Sequence, residues 1–169
     1  MPASLNCVES VTACASAGII ELQKYTAQIV YQSSVSTGER EENMQPFEQL
    51  EHNWARWNDL DPLGMVACSS GTSALHLALE AMQLPQGSRC IVPDLTMIAC
   101  PRAVTLAGLK PVFVDCGDDL LMDPELWIRA IDGPTEAVMF VHIYGRRCTF
   151  PPQWDNYGST IKIIEDLAE

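Results

Sequence analysis

Basic residues are scarce in this chain: ten Lys and Arg stand against 22 Asp and Glu, a formal net charge of −12 over 169 residues. That balance argues against non-specific nucleic-acid binding, which depends on Lys and Arg neutralising phosphates. Long apolar runs are missing too. Stretches such as Ala137–Val141 are far too short to span a bilayer. No Lys or Arg precedes Lys24, so the basic region of a secretory signal is lacking, and Glu9 with the absence of early Arg argues against a transit peptide. The seven cysteines include no C-x-x-C pair, which argues against a zinc ribbon or a thioredoxin-like motif. Their odd number and scatter fit a reducing compartment, where Cys acts as a small buried hydrophobe. No H-x-x-x-H metal spacing, internal repeat or low-complexity tract occurs. The expectation is a cytoplasmic protein with no membrane or nucleic-acid partner.

What is present is a globular composition, 47% hydrophobic and 19% charged. Residues 1–32 are helix-compatible through Ile19, Ile20, Leu22, Tyr25, Ile29 and Val30, and residues 33–43 read as a polar loop. Pro46 suits a helix start, and Phe47, Leu50, Trp54 and Trp57 recur at helical spacing after it. From Gly64 the rhythm is regular. Strands are expected at 65–68, 89–92, 110–115, 135–143 and 161–165, alternating with helices at 72–82, 96–106 and 124–131. Residues 150–160 carry at most a short helix. Strands that are apolar throughout, alternating with helices, predict an α/β fold: a three-layer α/β/α arrangement around a mostly parallel sheet.

In such folds ligands gather at the carboxyl ends of the strands. The first strand runs into Ser69-Ser70-Gly71-Thr72-Ser73, which opens a helix. Unpaired N–H groups and the helix dipole there favour an anion, so the segment reads either as a phosphate cradle or as ordinary capping by Ser or Thr. It is neither a Walker A loop nor G-x-G-x-x-G. The last strand delivers Asp166. Three readings of that carboxylate stay open: a metal ligand grouped with Asp94 and Asp115, a charge partner for a protonated ring nitrogen, or a solvated loop cap. His142 and Tyr144 flank Ile143 and face one side of a strand end, towards a pocket; alternatively His142 is held by a local hydrogen bond.

The ordered set SSGTSALHLAL (69–79), IVPDLTMIA (91–99), KPVFVD (110–115), VHIYG (141–145) and IEDLAE (164–169) resembles the DegT/DnrJ/StrS family of sugar aminotransferases, which are fold-type I, pyridoxal-phosphate-dependent enzymes. The resemblance runs from about Phe47 to the last residue and is weak over residues 1–46. It implies an N-terminal helical or loop segment (1–46), an incomplete large domain (47–169) and an absent C-terminal small domain. It implies that Gly71, Thr72 and Ser73 hold the cofactor phosphate, and that Asp166 pairs with the pyridine nitrogen, keeping the ring an electron sink. Glu169 matches a position beside the ring and its hydroxyl. Met97 matches the position that covers the ring face, where the family usually has an aromatic. His142 and Tyr144 match a His-x-Tyr-Gly turn beside the pocket and receive no catalytic step.

The family's catalytic Lys, which forms the Schiff base, has no counterpart among Lys24, Lys110 and Lys162. Residues 146–160 are shorter and more aromatic than a usual crossover. The resemblance thus implies a fragment of an enzyme acting on a nucleotide-linked keto-sugar with an amino-acid donor, homodimeric when complete and inactive as the given chain alone. Alternatives are a non-catalytic remnant or interaction domain, a sugar dehydratase of the same family, or an unrelated domain binding a phosphorylated ligand or a metal through Asp115 and Asp166. A sheet cut before its remaining strands is also expected to leave an unpaired edge and poor solubility.

Overall fold

The computed structural model describes residues 10–14, 19–22, 44–57, 65–133, 135–149 and 161–168. In chain order the elements are β1 (Ser10–Cys14), β2 (Ile19–Leu22), α1 (Pro46–Trp57), β3 (Met65–Ala67), α2 (Gly71–Ala81), β4 (Arg89–Pro93), α3 (Ala99–Leu106), β5 (Lys110–Val114), α4 (Pro124–Ala130), β6 (Thr135–Val141) and β7 (Lys162–Asp166), with a 3-10 turn at Ile143–Gly145.

Strands β4, β6 and β7 are buried on both faces, since successive side chains point to opposite sides of a sheet. Cys90, Val92, Ala137, Met139 and Ile164 pack with Ala74, Leu75, Ala78 and Leu79 of α2 and Cys100, Ala103 and Val104 of α3. The intervening residues Ile91, Val138, Phe140 and Ile163 pack on the other face with Trp127 of α4. Two helices on one face and one on the other make the expected α/β/α layers. Local chemistry sets the helix starts. Asp123 caps α4 by accepting from the N–H groups of Glu125 (2.8 Å) and Leu126 (3.0 Å), and Pro124 follows it at the first helical position. The helix expected from Thr96 begins only at Ala99, which leaves Met97 in the preceding loop.

The seven-stranded sheet has the order β3-β2-β1-β7-β6-β4-β5. The pairs β1–β7, β7–β6, β6–β4 and β4–β5 are parallel, and β2 runs antiparallel to both neighbours. Two antiparallel steps restore the direction, so β3 runs parallel to β7. The carboxyl ends of β3, β1, β7, β6, β4 and β5 therefore share one edge of the sheet.

Three expectations are corrected. The helix-compatible N-terminal segment supplies strands at residues 10–14 and 19–22. The β-branched Val11, Thr12, Ile19 and Ile20 suit a strand as well as a helix, and the ladder open between β3 and β7 decides it. The expected open edge does not fall at β7, which pairs with β1 over Ser10–Ala13; among the described residues the sheet's edges are β3 and β5. Pro111, which has no N–H to offer a further strand, sits on β5. Finally, α1 forms where its spacing puts it, but Phe47, Leu50 and Trp57 are exposed. Its inner face is instead Ala55, which packs with Met65 and Trp54, and Glu51, whose carboxylate accepts the Ala67 N–H at 2.7 Å. Expectations for residues 33–43 and 150–160 fall outside the described residues.

Candidate functional site

Asp166 ends β7, and parity fixes where it points. It lies two residues past Ile164, so its side chain faces the α2/α3 layer, while Glu165 faces the other way with Ile163. The carboxylate is only 4% exposed. Oδ1 accepts the Ala168 N–H at 3.1 Å, and Oδ2 accepts the Cys100 thiol of α3 at 3.3 Å. The Cys100 sulfur in turn accepts from the Thr96 hydroxyl at 3.1 Å. Burial is the main cause that pushes the Cys100 thiol up to about 12; the Thr96 hydrogen bond opposes it and the Asp166 charge adds to it. Cys100 therefore carries its proton at neutral pH and donates it towards Asp166.

A cleft of about 120 Å³ opens at this end of the sheet and is lined by Thr96, Met97, His142, Tyr144, Asp166 and Ala168, among others. Met97 is 65% exposed on its rim. The sequence thus placed Met97, His142, Tyr144 and Asp166 around one cleft.

His142 is the locally satisfied histidine of the alternative reading. Its Nδ1 accepts the Cys148 N–H at 3.0 Å, which assigns the ring proton to Nε2, 3.2 Å from Glu165 Oε1. This clamp explains why β6 ends two residues before the expected Ile143. The chain leaves the ladder at His142 and passes through Tyr144 at φ 54°, a left-handed conformation unusual for a bulky residue. The Tyr144 side chain is 67% exposed beside the cleft.

Gly71, Thr72 and Ser73 form the first turn of α2, which follows β3 at the same sheet edge as Asp166. They do not line the cleft of Asp166. Ser70 caps this helix. Ser70 Oγ accepts the Ser73 N–H at 3.2 Å and lies 3.0 Å from Ser73 Oγ, so Ser73 is already engaged, while Gly71 and Thr72 lead the helix. Asp94 and Asp115 are exposed, and the described residues contain no group of three His, Cys, Asp or Glu side chains placed to hold a metal ion, so the grouping with Asp166 does not form. Glu169 and Lys24 lie outside the described residues. Lys110 and Lys162 begin β5 and β7, at the edge opposite the cleft.

The sequence reading did not single out Cys100 as a site residue. Ser70 was visible inside the Ser-Ser-Gly-Thr-Ser run, as the residue just before the helix. Cys100 carried no local signal, because its partner lies 66 positions away.

The buried thiols bring a pH dependence. Burial pushes Cys90 and Cys100 up to about 12 and Cys148 up to about 11, against an ordinary 9.0. The unfolded chain ionises its thiols first. The stability they contribute is complete below pH 9 and is lost as pH rises towards 11–12. Each such thiol is expected to add a loss of up to about 1.4 kcal/mol per pH unit in that window. Urea midpoints of the native chain and of Cys90→Ala, followed from pH 8 to 11, test this. The native curve should fall more steeply, and parallel curves would refute it.

No helix among the described residues is long and apolar enough to cross a membrane. A sequence model of the DegT/DnrJ/EryC1/StrS aminotransferase family matches residues 22–169. GDP-perosamine synthase of Caulobacter vibrioides is 41% identical over 106 residues, covering 62% of this chain and 29% of that protein. The UDP-N-acetyl-3-dehydro-alpha-D-glucosamine 3-aminotransferase of Acidithiobacillus ferrooxidans is 39% identical over 108 residues, again 62% of this chain and 29% of the relative. Among solved structures, S. venezuelae DesV in complex with a ketimine intermediate superposes with a TM-score of 0.60 at 33% identity, over 73% of this chain and 33% of that one. The chain thus spans about a third or less of the length of these relatives. With the family model matched over most of its length, and an α/β/α layering shared with DesV, this chain belongs to the DegT/DnrJ/EryC1/StrS aminotransferase family.

Proposed function

We propose that this chain is the cofactor-holding part of a pyridoxal-phosphate-dependent aminotransferase that acts on a nucleotide-linked keto-sugar with an amino acid as donor. The observation that carries this is the placement of two unlike charges at one sheet edge. A buried carboxylate, Asp166, faces a cleft, and the N-terminus of α2 opens at the same edge. That pairing fits a ligand with a protonatable ring nitrogen at one end and a phosphate at the other. The names of the relatives, a GDP-sugar synthase and a UDP-sugar aminotransferase, support the substrate class.

When bound, the cofactor supplies an electron sink in its ring. The chain's own residues hold it in the state that makes this useful. Asp166 keeps a proton on the ring nitrogen by placing a negative charge beside it. The N–H groups of Gly71 and Thr72 receive the phosphate, and the Ser73 hydroxyl, 3.0 Å from Ser70 Oγ, turns from that contact to join them. Met97 covers a ring face as a flexible apolar lid, less strictly than an aromatic would. His142 holds the end of β6 against β7 and takes no proton-transfer role. Glu169 joins the site on family resemblance alone, beside the ring hydroxyl. Lys110 and Lys162 stand at the wrong edge to bond the cofactor, so among the described residues no lysine is placed to form a covalent link with it. In the complete protein the working unit is a cytoplasmic homodimer with its sites near the subunit interface. The exposed apolar residues Met97 and Ile98 beside the cleft support that placement.

Equilibrium titration of the chain with pyridoxal 5'-phosphate, followed by borohydride reduction and mass spectrometry, tests the reading. Saturable binding with no adduct on Lys110 or Lys162 is expected. Absence of saturable binding would sink it.

A further inference from the structure

The carboxylate of Asp166, in the lining of the cleft, is met by a thiol, an uncommon donor for that task. We propose that Cys100 is a positioning residue for Asp166, its S–H fixing Oδ2 while the Ala168 N–H fixes Oδ1, so that the carboxylate presents one orientation to the ligand. The part of this proposal that concerns the ligand rests on Asp166 being the partner of the cofactor ring nitrogen. The bond between Cys100 and Asp166 stands independently of it.

Three features give the arrangement its direction. The Thr96 hydroxyl donates to the Cys100 sulfur, so the thiol hydrogen is left to point at Asp166. Thr96 itself lines the cleft, so one chain of hydrogen bonds runs from the cleft wall through α3 to the end of β7. Cys100 is fully buried, which excludes water as a competing donor for Oδ2 on that side. Chemistry gives the arrangement its purpose. Two anchored oxygens remove the rotation of the carboxylate about its last torsion. At 3.3 Å the contact is an ordinary S–H···O separation, and because a thiol is a weak donor it orients the carboxylate without much neutralising it. The charge thus stays available to a cation in the cleft.

The test has two arms. In the ligand-free chain, the infrared S–H stretch that disappears in Cys100→Ala reports the bond directly. It is expected at a hydrogen-bonded frequency, and expected to move towards the free-thiol frequency in Asp166→Asn. A free-thiol frequency in the unmodified chain overturns the proposal even if Asp166→Asn does not fold. In the second arm, pyridoxal 5'-phosphate is compared with its analogue bearing carbon in place of the ring nitrogen. Cys100→Ala is expected to weaken pyridoxal phosphate binding about fivefold and to leave the analogue unchanged, and Cys100→Ser, which keeps a donor, to bind within about twofold of the unmodified chain. Equal weakening for both ligands would mean that Cys100 only packs α3 on the sheet, and would overturn the positioning role. Failure of the unmodified chain to bind either ligand would remove the cofactor reading and leave the infrared arm to decide on the bond.

Discussion

Replacing Asp166 by Asn is expected to weaken pyridoxal 5'-phosphate binding by about tenfold to a hundredfold, roughly 1.4–2.8 kcal/mol. Two unit charges about 4 Å apart near a protein surface attract by about 4 kcal/mol, and desolvation of both takes back part of that. The substitution preserves shape, so the cleft is not emptied. It changes the polar accounting in two ways. The negative charge facing the ring nitrogen is gone, and a donor that now meets the carboxylate, Cys100 Sγ or the Ala168 N–H, would meet an amide NH2. The second change is expected to lower stability by about 1 kcal/mol. The two effects separate by measurement. Affinity for the analogue with a ring carbon in place of nitrogen should change little, whereas affinity for pyridoxal phosphate should fall. An absorbance titration of the bound cofactor should show the ring nitrogen losing its proton at lower pH in Asp166→Asn, because an opposite charge favours the protonated form. Unchanged affinity together with an unchanged titration would remove Asp166 from the site.

The α/β/α layering was legible because the apolar runs at β4, β6 and β7 are punctuated by Pro and Gly and separated by segments of helical length. Boundaries were less legible where composition and geometry part. Ile143 is apolar and buried, yet it has left the ladder, since the chain turns at His142 to make the clamp with Glu165 and Cys148. The N-terminal strands were not legible at all. Val11, Thr12, Ile19 and Ile20 suit either state, and the partner that decides between them, β7, lies some 150 positions further on in the chain. The same distance effect divides the site. Asp166 was visible as a carboxylate ending an apolar strand, and Met97 and Tyr144 by their place after strand ends. Cys100 reads from sequence as one more core cysteine, and only the packing of α3 on the sheet turns its thiol towards Asp166.

Trp127→Ala is expected to cost about 3–5 kcal/mol of folding stability, the range for emptying a large aromatic from a core. Trp127 is fully buried and meets Phe140 of β6 edge-to-face, with ring centroids 5.4 Å apart and planes at 84°. It is also the sole buried residue of α4, a helix of seven residues. A helix that short has no stability of its own in water, so its docking depends on that side chain, with the partly buried Ile128 and Ala130 packing beside it. Against a typical domain stability of about 5–15 kcal/mol, the loss takes the chain close to unfolding at room temperature. Trp127→Phe keeps an aromatic edge for Phe140 and should cost well under half as much. Urea denaturation followed by circular dichroism measures both. A cost below about 1 kcal/mol for the alanine variant would show that α4 is held by something else. The two faces of the sheet then make a further distinction. Trp127 packs on the face opposite the one where Asp166 meets Cys100. Below its melting temperature, Trp127→Ala should therefore keep its affinity for pyridoxal phosphate while losing stability, whereas Asp166→Asn should show a large loss of affinity and a small loss of stability.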